Sequence, residues 1–411
     1  MHLTKEDRYI RRRLRQARKQ ARQFYYCRKY PINPKKIVFT TIEGTTGFSC
    51  NPKYIALELL RRRQDLDLVW LVDDMAKEFP LGIRKVRNTL QNRAYELSTA
   101  AVWVDNSRKQ LECRKRPGQF YLQTWHASLG VKPVGGERGR SFSKIARLVT
   151  VHDSNMIDLW VTNSKWFENR ATSGFLYHGK MIRTGSARVD LLINDKEGTR
   201  RNFKKKYGLS EDIKIAMYAP TFRSGSQGTR RNPEIQNKMP DFDKLRNSLE
   251  RRFAGRWVIV LRLHPQLTAR HVTAKRETEG HDFIIDASYE DDMCEVLGAA
   301  DILITDYSAL AFDAAYISLP VFEYVYDLHD YIKERGDLLW YLTELPFPYA
   351  EDMDDLCNCI ESFDELHYKQ ALNELWGKTE VVEDGRASAR IADLLEEELR
   401  GISKKLDANE Q

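Results

Sequence analysis

No apolar run in this 411-residue chain approaches the roughly 18 residues needed to cross a bilayer. The N-terminus also lacks the apolar core of a secretory signal, so a cytosolic chain is expected. Cysteine is sparse: Cys27, Cys50, Cys113, Cys294, Cys357 and Cys359 form no C-x-x-C pair and have no histidine-rich neighbour at metal spacing. Reduced thiols are therefore expected, with neither disulfides nor structural zinc. There is no P-loop, no G-x-G-x-x-G fingerprint and no carboxylate pair at metal-ligand spacing, which sets aside kinase and dehydrogenase chemistry. What is present is a globular composition, 42% hydrophobic and 11% aromatic. The length exceeds what one core serves and predicts two domains.

The net charge of +7 is local. Residues 1–30 hold eleven Lys and Arg against Glu6 and Asp7, so the rest of the chain is close to neutral. Ile10, Leu14, Ala17, Ala21 and Phe24 recur at steps of three and four, one face of a helix, while Arg11, Arg12, Arg15, Arg18, Lys19 and Arg22 fall largely on the others. Three readings fit this arm. It lies on an anionic membrane through residues 8–22; it attracts nucleic acid by neutralising phosphate; or it docks on the body by its thin apolar stripe with its charges merely solvated.

After Pro31 strands and helices alternate. Strands are predicted over 36–43, 66–73, 101–107, 119–126 and 158–164, with a short one ending near Gly185, then over 214–223, 257–265, 282–288, 301–308 and 320–326. Helices are expected near 197–207, 241–252, 290–299 and 309–317. The strands are nearly continuous apolar runs, as parallel sheets covered on both faces require. The expected fold class is α/β: two doubly wound Rossmann-like domains facing a cleft, preceded by a basic helix. The expected division is an arm at 1–30, an acceptor-side domain at 31–195, a donor-binding domain at 196–385 and a C-terminal helix and tail at 386–411. The polar segment 224–242, rich in Gly, Asn and Pro, is expected to be a mobile loop.

The residues just after the strands are polar and cationic: Trp125-His126, Arg183 to Ser186, Pro220 to Arg223, Arg262-x-His264-Pro265 and Asp306-Tyr307-Ser308. That inventory suits a polyanion such as a pyrophosphate. Ser308 stands where a helix N-cap belongs, with small alanines behind it; it either cradles a phosphate or only caps the helix. His126 precedes a loop with four glycines and is either a general base or a histidine bonded to a backbone carbonyl. His264, before a proline, is placed to bind phosphoryl oxygens with Arg262 or Arg223 adding charge, or to be structural.

The segments QTWHASLGVK, TGSARVD, MYAPTFR, RLHP and ITDYSALAFDAAY, in this order, resemble the CDP-glycerol glycerophosphotransferases of teichoic-acid and capsule synthesis, and VYDLHDYIKERG resembles the segment that follows in that family. The resemblance covers about residues 36–340. It implies a GT-B fold, association with the cytoplasmic face of the membrane, and transfer of glycerol phosphate or ribitol phosphate from a CDP-alditol to a hydroxyl of a lipid-linked acceptor, releasing CMP. It also implies that His126 is the base and that His264 and Ser308 contact the donor phosphates. Lys132, Gly185, Arg188, Thr221, Arg223, Arg262, Asp306 and Tyr307 match further motif positions. No cofactor, metal or nucleic-acid partner is expected. Family members often carry glycine and then Thr-Pro after the Trp-His pair, where this chain has Ala127, Ser128 and Leu129; this points to a different acceptor or alditol preference. Two rivals are a GT-B glycosyltransferase using a sugar nucleotide and a non-enzymatic membrane or nucleic-acid adaptor.

Overall fold

The computed structural model describes residues 4–127, 129–221, 239–263 and 281–410. The chain divides into two compact units: Met1–Ser128, Val134–Asp190 and Val382–Gln411 form unit 1, and Leu129–Pro133 with Leu191–Val381 form unit 2.

Unit 1 opens with α1 (Lys5–Cys27), whose first turn is closed by a capping box between Thr4 and Asp7. Ala17, Ala21, Phe24 and Cys27 are buried, and the helix packs on α3 (Leu90–Thr99). The stripe therefore docks the helix on the body, as one of the three readings of the arm requires. The sheet of unit 1 has seven parallel strands: β1 (Asn33–Thr40), β2 (Asp67–Val72), β3 (Ile83–Arg87), β4 (Ala100–Asp105), β5 (Phe120–Gln123), β6 (Leu159–Thr162) and β7 (Lys180–Arg183), in the order 3-2-1-4-5-6-7. Helices α2 (Cys50–Arg62), α3, α4 (Lys144–Ser154) and α5 (Lys165–Phe175) connect them. Every residue of β4 is buried, which is why it reads as an unbroken apolar run. The winding reverses between β1 and β4, and the loops after those strands diverge there, leaving the crevice in which open α/β sheets bind ligands.

The edge strand β3 escaped the sequence reading. IRKVR has no apolar run, and Arg84 reaches across to Asp67 and Glu96 at 2.9 and 2.8 Å. Such charge is what a strand with one open edge tolerates.

The helix α6 (Val189–Asn194) takes the chain into unit 2. Six parallel strands follow: β8 (Lys214–Tyr218), β9 (Trp257–Leu261), β10 (Ile284–Asp286), β11 (Ile302–Thr305), β12 (Val321–Tyr324) and β13 (Tyr349–Ala350), in the order 10-9-8-11-12-13. Their helices are α7 (Lys196–Lys206), α8 (Phe242–Phe253), α9 (Met293–Ala299), α10 (Leu310–Ala315), α11 (Leu328–Arg335), α12 (Met353–Glu361) and α13 (Glu365–Thr379). The winding reverses here between β8 and β11. Two doubly wound α/β units are thus observed, the fold class expected from the strand pattern. The two-residue β13 is too short to register as a pattern, and most of the 224–242 segment lies outside the described residues.

The chain then returns to unit 1, where α14 (Ala387–Glu410) packs on α2 and buries Ile391, Leu395, Leu399 and Ile402. Side chains of this kind contribute roughly 1.5–3 kcal/mol each when fully buried. The start of α14 is held from a distance: Ala387 N–H donates to Asp190 Oδ1 at 3.0 Å and Ser388 N–H to Oδ2 at 2.7 Å. Replacing Asp190 with Ala removes both acceptors at a helix N-terminus, at a cost of about 2 kcal/mol. Thermal melting should show a transition lowered by several degrees; an unchanged melt would mean that the cap carries no weight.

Candidate active site

In unit 1 the site is assembled beside the switch point. Strand β5 ends at Gln123, whose side chain turns the backbone by accepting from Trp125 N–H at 2.9 Å. Trp125 then takes φ +49°, a left-handed conformation costing a non-glycine residue roughly 1–2 kcal/mol. Packing holds it there. Its ring stacks on His126 at 4.3 Å and meets Phe175 edge-on at 4.8 Å, and Asn51 Nδ2 donates to its carbonyl at 3.0 Å. Asn51 Oδ1 accepts from Arg188 N–H at 3.0 Å, and Arg188 Nη1 donates to the His126 carbonyl. The imidazole, half-buried, has Nδ1 2.8 Å from the Asn106 carbonyl oxygen. A carbonyl can only accept, so Nδ1 carries the proton and Nε2 presents a lone pair. The two sequence readings of His126 are compatible: the carbonyl bond sets the tautomer a base needs. Burial, reinforced by the Arg188 and Arg108 charges, pushes the imidazole down to about 4 against the opposing carbonyl bond. It is neutral at pH 7.

The loop 105–110 that supplies the Asn106 carbonyl is itself pinned. Buried Lys109 Nζ pairs with Asp105 at 2.5 Å, Ser107 N–H donates to Asp105 Oδ1 at 2.8 Å, and Lys109 N–H donates to Asp153 Oδ1 at 2.9 Å. Across the reversal, Ile42 N–H donates to Asn106 Oδ1 at 2.8 Å.

In unit 2 the expected residues gather at the β8/β11 reversal. Asp306, 2% exposed, accepts Thr221 N–H on both oxygens at 2.9 and 3.0 Å and the Thr221 hydroxyl at 3.1 Å, tying the two diverging strand ends together. Tyr307 donates its hydroxyl to Asp327 at 3.1 Å and stacks on Tyr331 at 3.7 Å. Ser308 stands one residue before the N-cap, which is Ala309; its Oγ accepts Leu310 N–H at 3.2 Å, and α10 behind it is only six residues long. Lys132 lies in the Leu129–Pro133 segment of unit 2, where Val131 O accepts from Leu339 N–H at 2.8 Å.

Other candidates are placed elsewhere. Arg262 donates Nη1 and Nη2 to the carbonyls of Ser288 and Glu290, both at 2.6 Å, clamping the loop after β10 to the end of β9. Gly185, at φ +89°, lets the chain before α14 pass: a Cβ there would lie 3.1 Å from the Val382 carbonyl. His264 and Arg223 lie outside the described residues. Among the described residues no group of three His, Cys, Asp or Glu is arranged to hold a metal ion.

Asn51, Asn106 and Arg108 were not singled out from the sequence, although Asp105 to Arg108 is a polar strand end like the others. Glu323 was missed as well. It sits level with Thr305 on β12, is fully buried, and among the described residues neither carboxyl oxygen has a hydrogen-bond partner. Burial, with Asp306 adding repulsion, raises its carboxyl well above the usual range.

Residues 22–397 match the family described as CDP-glycerol:poly(glycerophosphate) glycerophosphotransferase. The chain belongs to this family. Among similar proteins, a teichoic acid glycerol-phosphate transferase of Staphylococcus aureus is 28% identical over 87% of this chain and 92% of its own. A teichoic acid poly(glycerol phosphate) polymerase of Staphylococcus epidermidis is 26% identical over 90% of this chain, which spans about half (51%) of that polymerase's length. The solved wall teichoic acid polymerase TagF superposes with a TM-score of 0.78 at 25% identity, over 93% of this chain and 95% of the other. The glycerophosphotransferase fold thus covers both units of the chain.

The buried acid at 323 yields a signed expectation. An unfolded glutamate ionises above about pH 4.5 while burial makes the folded one resist ionisation to higher pH, so Glu323 costs stability increasingly as pH rises from 4.5. In urea melts, Glu323→Gln should become more stable relative to the parent as pH goes from 4.5 to 8; a pH-independent difference would contradict a carboxyl that resists ionisation.

Proposed function

We propose that this chain transfers glycerol phosphate, or ribitol phosphate, from a CDP-alditol to a hydroxyl of a lipid-linked teichoic-acid or capsule acceptor. The observation that carries this reading is His126, its Nδ1–H engaged by the Asn106 carbonyl and its Nε2 lone pair left to accept a proton, on a chain of the glycerophosphotransferase family. The acceptor hydroxyl gives its proton to Nε2 as its oxygen bonds to the β-phosphorus of the donor. The bond from that phosphorus to the bridging oxygen breaks, and CMP leaves. Unit 2 would hold the donor at its β8/β11 reversal, with Ser308, Thr221 and Tyr307 on the strand ends and Asp306 and Arg262 keeping those ends in place. The family resemblance assigns His264 and Ser308 to the donor phosphates, with Arg223 and Lys132 as further substrate-binding cations. Positioning and charge stabilisation would supply most of the acceleration.

The test is CMP release with a panel of CDP-glycerol, CDP-ribitol and UDP-glucose in the presence of a lipid-linked polyol acceptor. Turnover with a CDP-alditol alone supports the reading; turnover with UDP-glucose alone replaces it with a glycosyltransferase. His126→Gln should lower the rate about 10²- to 10⁴-fold, the usual worth of a general base. The acid limb of kcat/KM should fall near pH 4, because an imidazole held at about 4 stays unprotonated above that. A limb near 6.5, or full activity in the variant, would reassign the base.

The acceptor implies a membrane, and we propose that α1 meets its cytoplasmic face. No described helix is long and apolar enough to cross one. Arg11, Arg12, Arg15, Arg18, Lys19 and Arg22 are exposed, and none is in an ion pair among the described residues; Tyr9, Tyr25 and Tyr26 are exposed beside them. Cations near an anionic surface contribute about 1 kcal/mol each, and tyrosine suits the interface. In flotation assays the protein should bind phosphatidylglycerol vesicles and not phosphatidylcholine ones. Changing Arg11, Arg12, Arg15 and Arg18 together to Gln should release it; binding that ignores lipid charge would refute this role.

A further inference from the structure

Two backbone groups hold the His126 imidazole: the Asn106 carbonyl that accepts its Nδ1–H and the left-handed backbone of Trp125. Each can be followed inward through hydrogen bonds, and both lines end on the same oxygen. On the first, the turn after β4 that carries Asn106 is closed by Lys109 N–H, which donates to Asp153 Oδ1 at 2.9 Å. On the second, Trp125 N–H donates to Gln123 Oε1 at 2.9 Å, Gln123 Nε2 donates to the Tyr121 hydroxyl at 3.0 Å, and that hydroxyl donates to Asp153 Oδ1 at 3.0 Å. Residues 121 and 123 share one face of β5 because side chains alternate along a strand. A bond from Gln123 Nε2 to the Ser107 carbonyl, also at 3.0 Å, joins the two lines.

The second line has a fixed polarity. A side-chain amide can be turned end for end, and Trp125 N–H needs its oxygen. Tyr121 has one hydroxyl proton; because Asp153 accepts it, the phenolic oxygen faces Gln123 as an acceptor and claims the NH₂ end of the amide. Asp153, Tyr121, Gln123 and Asn106 are all buried, so water does not replace a bond that is lost.

An aspartate is poorly suited to this place on stability grounds alone. It stands in the last turn of α4, where the helix dipole opposes a negative charge, and burial pushes its carboxyl up to about 7. Arg108 lies within reach of its charge but forms no hydrogen bond to it, and Nη2 of that guanidinium is unmet among the described residues. Oδ1 accepts from Lys109 and Tyr121 whether or not the other carboxyl oxygen carries a proton. What the position supplies is an acceptor shared by two donors.

We propose that Asp153 is a positioning residue for the transfer: through Lys109 on one line, and Tyr121 and Gln123 on the other, its Oδ1 fixes both supports of His126 and so the tautomer that leaves Nε2 able to take a proton. This rests on the transferase reading above, in which His126 is the base.

The first measurement needs no turnover. In protein with isotope-labelled histidine, the His126 resonances, identified by their loss in His126→Gln, should report a single Nδ1–H tautomer in the wild type. Asp153→Ala should show a second population protonated at Nε2, and Asp153→Asn, which keeps an acceptor oxygen, should restore the single form. Should Asp153→Ala fail to fold, Tyr121→Phe cuts the Gln123 line alone and should show the second population as well. An unchanged tautomer in a folded Asp153→Ala or Tyr121→Phe protein overturns the proposal, as does an Asp153→Asn protein that behaves like Asp153→Ala. The second measurement is CMP release from CDP-glycerol with a lipid-linked polyol acceptor. Asp153→Ala should lower kcat about 10- to 100-fold with donor KM unchanged, the cost of a displaced reacting group, and should cost nothing further in a His126→Gln background. A loss that multiplies that of His126→Gln would mean that Asp153 acts through something other than the base, which refutes the assignment. A wild type without CDP-glycerol turnover counts against the transferase reading alone, and the tautomer measurement still decides the role of Asp153.

Discussion

The hydrogen bond from His126 Nδ1–H to the Asn106 carbonyl is the contact on which the unit 1 site depends. It requires the carbonyl to stand still, which the buried Asp105–Lys109 pair and the Ser107 and Asp153 contacts ensure. It requires the imidazole to turn toward that carbonyl, which the left-handed Trp125 and its Gln123 and Asn51 contacts enforce. It also requires β4 and β5 to end level with each other, and the pairing of Asp105 with Gln123 provides this. A backbone strain of one or two kilocalories is tolerated because several independent contacts hold the same residue.

Unit 2 solves the matching problem with a carboxylate. Where β8 and β11 diverge, no further strand pairing can hold their ends, and Asp306 takes over by accepting three hydrogen bonds from Thr221. Arg262 does the same for the end of β9 with two backbone carbonyls. Both charges, which look like ligand contacts in the primary structure, are engaged in holding strand ends. Glu323, buried one strand over, has its carboxyl pushed well above the usual range by burial and by the nearby Asp306.

Much of this was legible beforehand. Eleven of the thirteen described strands were foreseen, most of them as apolar runs, because strands covered on both faces have no polar side to show. The exceptions have physical causes: β3 is a charged edge strand, and β13 has two residues. The polar strand ends were visible as a class, and His126, Asp306 and Thr221 were correctly located at strand ends. Individual tasks were not visible. Nothing in the composition distinguishes Asp306, engaged by backbone amides, from an acid awaiting a ligand. Asn51 and Asn106 are silent because each acts through contacts with residues 50 or more positions apart or through a backbone carbonyl.

The primary structure by itself determined the strand and helix succession, the basic amphipathic arm and the polar character of the strand ends, since each is a matter of local periodicity or of residue type. Tertiary structure decided which of those polar groups are consumed in holding the fold and which keep a free lone pair or an unmet charge. That distinction depends on hydrogen-bond partners brought together from distant parts of the chain, and no local pattern encodes it.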